Sequence, residues 1–226
     1  MAADGEEPGW WAVSAAQLGL TLDEHACSRL TRYLDLLERW NRAYNLTAVR
    51  DRPSMRVQHV LDCLAVVAPL RRQCRGGGRL LDVGSGGGLP GVVIAIAVPE
   101  FDVTCIDAVG KKAAFVQQVA GSLELSNLRG VHGRVESDIA GHYDVITSRA
   151  FASLADFVAT TRDRLTPGGC WAAMKGREPA DEIAAVPADV EVFHVEHLEV
   201  PGLPAERCIV WMRPKLRYAP GSSDSA

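Results

Sequence analysis

The stretch Gly78-Arg79-Leu80-Leu81-Asp82-Val83-Gly84-Ser85-Gly86-Gly87-Gly88-Leu89-Pro90-Gly91 decides how this chain folds. Leu80 to Val83 is an apolar, strand-like run that empties into five glycines within residues 84–91. A second apolar segment, Val92 to Val98, follows at once. The order is strand, tight turn, helix. Glycine in such a turn lets the backbone take positive φ and lets a ligand reach main-chain N–H groups without meeting a Cβ. Pro90 suits the first turn of the helix, where its missing N–H is not needed.

Two readings of the turn compete. Gly86-x-Gly88-x-x-Gly91 matches the dinucleotide pattern, while Asp82-x-Gly84-x-Gly86-x-Gly88 places an acid two residues before the first glycine. The acid separates them. A carboxylate at the strand end would repel a pyrophosphate, whereas it would attract the amino group and sulfonium of S-adenosylmethionine (SAM). No Lys-Ser/Thr pair follows the glycines, which excludes a P-loop. The residues favour SAM.

The extended run, Asp82 through Gly91 with Leu89-Pro90-Gly91, resembles the glycine motif of class I SAM-dependent methyltransferases, and in detail that of the RsmG family, also called glucose-inhibited division protein B. Further stretches are similar to that family: Trp40-Asn41-x-x-x-Asn45-Leu46-Thr47, His59-Val60-Leu61-Asp62, Ser148-Arg149-Ala150-Phe151-Ala152-Ser153 and Lys175-Gly176. They span most of the chain. The resemblance implies a bacterial enzyme that methylates guanine N7 in 16S rRNA, with SAM as cofactor and 16S rRNA or the small ribosomal subunit as partner.

Outward from the glycine turn, strands and helices alternate. Strands are expected over Phe101 to Asp107, Leu128 to His132, Tyr143 to Ser148 and Cys170 to Lys175, with helices over Lys111 to Leu123 and Ala155 to Leu165. Thr166-Pro167-Gly168-Gly169 reads as a turn. This alternation implies an α/β fold with a mostly parallel, Rossmann-like sheet covered on both faces. After a short helix near Asp181 to Val186, two β-rich runs, Val190 to Val200 and Arg207 to Arg213, leave no room for a helix between them. They read as an antiparallel pair at the sheet edge. Upstream, Ser14-x-x-Gln17 and Thr21-x-x-Glu24 match capping boxes. The second opens an amphipathic helix through Leu30, Tyr33, Leu34, Leu37 and Trp40 to about Ala43, and a third helix is expected from Ser54 to Ala68. The division expected is a helical N-terminal cap over 1–75, with its first nine residues disordered, a SAM-dependent methyltransferase domain over 76–217, and a disordered tail over 218–226.

In a doubly wound sheet the ligand sits at the carboxyl ends of the strands. Asp82, Gly84, Gly86, Gly88 and Leu89 are cofactor-binding candidates of the glycine turn, and the resemblance implies that Gly84 and Leu89 belong to the methionine-side loop. Asp107 closes the second strand, where it can accept both ribose hydroxyls; its other reading is the N-cap of the Lys111 helix. By the resemblance, the backbone at Val135 meets adenine and Glu136 lies near the exocyclic amine; Glu136 also reads as a surface residue. Arg149, at the end of the fourth strand, is placed to touch SAM, a guanine edge or a phosphate, or to act as an ion-pair partner. Arg134, Arg149 and Lys175 are the substrate-binding candidates, Lys175 reading equally as a surface residue. Phe151 reads as core or as a base-stacking ring.

After the fourth strand the chain has neither an Asn/Asp-Pro-Pro-aromatic motif, which would serve an exocyclic amine, nor the Pro-Cys pair of a cytosine C5 enzyme. Guanine N7 has an in-plane lone pair and no proton, so its methylation needs no general base. Catalysis is then mainly alignment, with no single catalytic residue assigned and Arg149 the best candidate. His59 and Asp62, three apart on one helix face, read as a structural hydrogen-bonding pair. The alternatives are a SAM-dependent methyltransferase of a small molecule and a non-catalytic nucleotide-binding module.

Hydrophobic residues make up 47% and charged residues 23%, an ordinary soluble composition. The net charge of −4 argues against a general nucleic-acid binder, but it is uneven. Residues 1–25 hold five acids and residues 178–206 hold eight, with no Lys or Arg in either, so 15 acids remain to face all 24 basic residues. A basic face for RNA can therefore coexist with an acidic total. Arg71, Arg72, Arg75 and Arg79 read either as RNA contacts or as a solubilising linker. The six cysteines show no metal-ligand spacing and read as buried thiols of a reducing cytoplasm, with no metal expected. No signal peptide is legible and no apolar run approaches the ~18 residues of a membrane span. A cytoplasmic monomer without membrane contact is expected.

Overall fold

The computed structural model describes residues 9–149, 151 and 153–215. Both expected disordered ends fall largely outside that set, as do Ala150 and Ala152. Seven strands form one sheet: β1 (Gly78–Val83), β2 (Phe101–Asp107), β3 (Leu128–His132), β4 (Tyr143–Ser148), β5 (Leu165–Lys175), β6 (Val190–His197) and β7 (Cys208–Pro214). Their spatial order is β3-β2-β1-β4-β5-β7-β6. β1 to β5 are parallel, and β7 runs antiparallel between β5 and β6. The expected α/β class and antiparallel edge pair are both present.

Alternation along β1 sorts its side chains between two cores. Leu80 joins a cluster under α6 (Gly91–Ala97) and α7 (Gly110–Ser122), while Leu81 and Val83 join one under α8 (Leu154–Thr161). The N-terminal helices share the first of these cores. α1 (Gly9–Gln17) seats Trp11 at 1% exposure, and α2 (Glu24–Tyr44) buries Leu30, Tyr33, Leu34 and Leu37 in the same cluster as Phe115 of α7. The cap and the sheet therefore fold around continuous apolar packing.

Several expectations need correction. Ser14 does not cap a helix; it lies inside α1 and is buried, because two tryptophans at 10 and 11 extend the helix towards the N-terminus. The cap of α2 is Asp23, whose Oδ1 accepts from the Ala26 N–H at 2.7 Å, and not Thr21. Pro90 stands at the N-cap of α6 and Gly91 is its first residue. The single helix expected from Ser54 is a relay: α3 (Arg52–Met55), a π-helical segment over Arg56–Leu61, α4 (Asp62–Leu64) and α5 (Val67–Gln73). Thr166 to Gly169 lie within β5, whose pairing with β4 shifts register between Tyr143 and Val145. Positive φ at Gly168 (83°) absorbs the irregularity, a bulge where the sequence reads as a turn. Cys170 is only half-buried, beside the half-buried Cys74.

Candidate cofactor and substrate site

The glycine turn divides its labour. Gly84 and Gly86 have φ of 68° and 57°, and a Cβ on either would meet nothing within 4 Å. Their open side is where a ligand can approach. A Cβ on Gly88 would collide with Val92, and one on Gly91 with Cys105 and Asp82, so these two let helix and strand pack closely. Tyr33 Oη donates to the Gly87 carbonyl at 2.7 Å and pins the turn to α2.

Asp107 fixes the turn from the other side. Its Oδ2 accepts from the Gly86 N–H and its Oδ1 from the Val109 N–H, each at 2.9 Å. It does not cap α7, whose N-cap is Val109. Bonded this way, the carboxylate is oriented along the edge of a cleft of about 280 Å³, with lone pairs still available. Gly84, Arg134, Val135, Glu136 and Phe151 also line it, and Val83 and Ile106 supply apolar wall. The structure thus brings Gly84, Asp107, Val135 and Glu136 together around one cleft. Arg164 braces the far rim by donating to the carbonyls of Val135 (3.2 Å) and Glu136 (2.8 Å). Phe151 packs against Phe157, ring centroids 5.4 Å apart, so it is tied to the α8 core.

Asp82 lies beneath the turn, fully buried, and does not line this cleft. Its Oδ2 accepts from the Gly91 N–H at 2.8 Å. Burial pushes its pKa up to about 7, against the lowering effect of the Gly91 bond and the Arg149 charge. Among the described residues Asp82 Oδ1, Ser85 Oγ and Ser148 Oγ are buried without hydrogen-bond partners. All three belong to the glycine turn and the adjoining ends of β1 and β4, where Asp82 pairs in register with Thr147. An unpaired buried oxygen is costly. Three acceptors around one strand-end turn, with an open Gly84–Gly86 face, fit a ligand that brings an ammonium group and a nucleoside, as SAM does. Leu89 is buried and Gly88 is a packing glycine, so neither lines the cleft.

A second cleft, of about 350 Å³, opens at the carboxyl ends of β4 and β5. Gln58, His59, Asp62, Arg149, Lys175 and Arg207 line it. Motifs far apart in sequence converge here. Asn41 receives the Thr47 N–H at 2.8 Å and donates to the Val49 carbonyl at 2.9 Å, closing the turn after α2. Thr47 Oγ1 lies 2.6 Å from His59 Nε2, and His59 Nδ1 lies 3.4 Å from Arg149 Nη1. A guanidinium can only donate, so His59 Nδ1 accepts and the ring is neutral with its proton on Nε2. Burial and the Arg149 charge accordingly lower its pKa to about 4. The imidazole comes from the π-helical segment, a local irregularity frequent at functional sites.

Arg149 also donates to the Gln58 carbonyl at 3.2 Å and reaches Asp62 Oδ2 at 3.5 Å, while Arg207 Nε donates to Asp62 Oδ1 at 2.8 Å. Burial raises the Asp62 pKa, opposed by the charges of Arg207 and Arg149. Lys175 is held by Glu182 at 2.7 Å, and the same Glu182 oxygen accepts from the Leu154 N–H. Arg134 lines the first cleft, and Arg149 and Lys175 the second, so the three basic candidates do not form one cluster. Arg207 is missed by sequence reasoning. It ends a long acidic stretch, and only the antiparallel return of β7, with Cys208 opposite Lys175, brings it to the site. Arg71 and Arg72 are instead engaged with the Ala97 carbonyl and with Glu196, and Arg79 stacks on Tyr143 at the start of β1, away from both clefts.

Comparisons with known proteins agree with this fold. The family model described as rRNA small subunit methyltransferase G matches residues 26–210. The chain is 60% identical over 209 residues to the ribosomal RNA small subunit methyltransferase G of Acidovorax sp. (strain JS42), covering 88% of this chain and 92% of that protein. It is 58% identical to the protein of the same name from Paracidovorax citrulli, covering 90% and 88%. Among solved structures, TrmN from Thermus thermophilus superposes with a TM-score of 0.55 at 22% identity, over 67% of this chain and 48% of that longer one. A SAM-dependent methyltransferase from Aquifex aeolicus gives 0.52 at 15% identity, over 71% and 93%. These two likenesses are of fold. Family model and relatives together show that the chain belongs to the rRNA small subunit methyltransferase G family, a family of SAM-dependent methyltransferases.

Proposed function

We propose that this protein transfers a methyl group from SAM to N7 of a guanine in 16S rRNA. The observation that carries the reading is a cleft of about 280 Å³ edged by the Asp107 carboxylate, beside a cationic one in which His59 is neutral and internally bonded. Bound SAM would supply an electrophilic methyl group. Asp107 and the Gly84–Gly86 backbone would hold its nucleoside, and the oxygens of Asp82, Ser85 and Ser148 its amino group. N7 attacks through its lone pair and releases no proton, so the chain needs to orient the base and exclude water rather than move protons. Arg134, Arg149, Lys175 and Arg207 are the basic residues that border the two clefts and would meet RNA. Among the described residues no helix is long and apolar enough to cross a membrane, and the large exposed apolar side chains are scattered: Val13, Tyr44 and Val109. The scatter of those side chains favours a monomer, and an rRNA substrate places its action in the cytoplasm, where ribosomal subunits are assembled.

The test is transfer of tritiated methyl from SAM to rRNA from a strain lacking this gene, followed by nucleoside analysis. A single 7-methylguanosine in small-subunit RNA is the expected product. SAM binding with no transfer to RNA or to ribosomal particles would overturn the substrate and favour a small molecule.

A further inference from the structure

Asp62 is the least expected charge in the second cleft. Its side chain is 3% exposed, yet each of its oxygens meets a different arginine. One arginine follows β4 and the other precedes β7, so the carboxylate joins two parts of the sheet rim through the N-terminal helices. The grip is unequal. Arg207 is tightly bonded through Nε at 2.8 Å, whereas every contact of Arg149 is between 3.2 and 3.5 Å. The charges do not balance either. His59 is neutral and Lys175 is matched by Glu182, which leaves one carboxylate against two guanidinium groups. Both arginine side chains remain about a quarter exposed, at 25% and 24%, on a cleft large enough for a phosphate or carboxylate. Among the described residues Arg149 Nη2 and Arg207 Nη2 donate to nothing, and paired guanidinium edges are a strong receptor for a single oxyanion.

We propose that Asp62 is a positioning residue that sets Arg149 and Arg207 as a two-armed fork for one oxyanion. The inference rests on the functional reading above for its ligands, which offer two sources of that chemistry: an RNA phosphate beside the target guanine, or the carboxylate of the methionine moiety of SAM. Asp62 touches neither; it acts through the two arginines.

The full-length protein and its Asp62→Asn, Arg207→Gln and double variants test this by two binding assays that need no turnover. One is SAM binding by calorimetry, and the other is anisotropy of a fluorescein-labelled single-stranded RNA oligonucleotide, with melting temperature recorded for each variant. In one of the two assays, Asp62→Asn and Arg207→Gln are each expected to weaken binding roughly ten-fold. The double variant should fall short of the product of the two single losses, because part of the carboxylate's effect runs through Arg207 and is already gone in Arg207→Gln. Loss confined to RNA, with the salt slope reduced by about 0.7, identifies a phosphate; loss confined to SAM identifies the carboxylate. Multiplying losses in the double variant, or less than two-fold change in both assays with unchanged melting, would overturn the fork. A variant that melts early is replaced by Asp62→Glu, which keeps the charge but moves it, and is expected to show the same selective loss. Failure of the parent protein to methylate RNA would sink the proposed function while leaving both binding assays readable.

Discussion

Gly84, Gly86, Gly88 and Gly91 look alike in sequence, but their surroundings give them opposite duties. Ala at Gly86 would face open space yet strain a φ of 57°, so it should weaken SAM binding in calorimetry with a stability loss of only about 1–2 kcal/mol. Ala at Gly91 would strike Cys105 and Asp82, and urea denaturation should show a loss of about 1–3 kcal/mol. Asp82 carries a prediction with a definite sign. Its pKa is pushed up to about 7 in the native protein, while the unfolded chain releases that proton near pH ~4. Between these values the native state binds more protons, so this contribution to stability falls as pH rises from about 4 to about 7 and then levels. Urea melts across that range should show the parent losing stability relative to Asp82→Asn, on the order of a few kcal/mol. Saturating SAM, which is cationic at its amino group and sulfur, should shrink the difference.

At the scale of elements, the sequence reading is most accurate where a strand is framed on both sides. β2, β3 and β4 begin and end where their apolar runs do. Helix starts were less legible because short polar motifs compete for the cap and tertiary burial chooses among them. Thr21-x-x-Glu24 satisfies the capping-box pattern, yet the chain turns two residues later and Asp23 takes the role. Asp23→Ala should therefore cost about 1 kcal/mol in chemical denaturation, with Thr21→Ala close to neutral. Trp11→Ala should cost about 3–5 kcal/mol, since it opens the shared core between α1 and the sheet and also frees the bond from Nε1 to Thr31. The π-helical turn had no sequence signal. Its extra residue per turn is visible only once His59 must reach Thr47 on one side and Arg149 on the other.

For the whole molecule, charge distribution decides what the acidic total conceals. RNA binding should weaken steeply as salt rises from about 50 to about 200 mM, because each phosphate contact releases counterions; a salt-independent anisotropy titration would count against an RNA substrate. The sequence by itself determined the α/β sheet, the strand–glycine–helix turn, the acid at the end of β2 and the antiparallel ending. Each of these is a local pattern, set by periodicity, by glycine's freedom at positive φ, or by the length of chain between strands. Only the tertiary structure decided that Asp82 is buried under α6, that Arg134 stands apart from Arg149 and Lys175, and that Arg207 joins them across Asp62. The physical reason is sequence distance: Asp62 and Arg207 are 145 residues apart, and no local pattern encodes a contact that exists only after β7 has folded back beside β5.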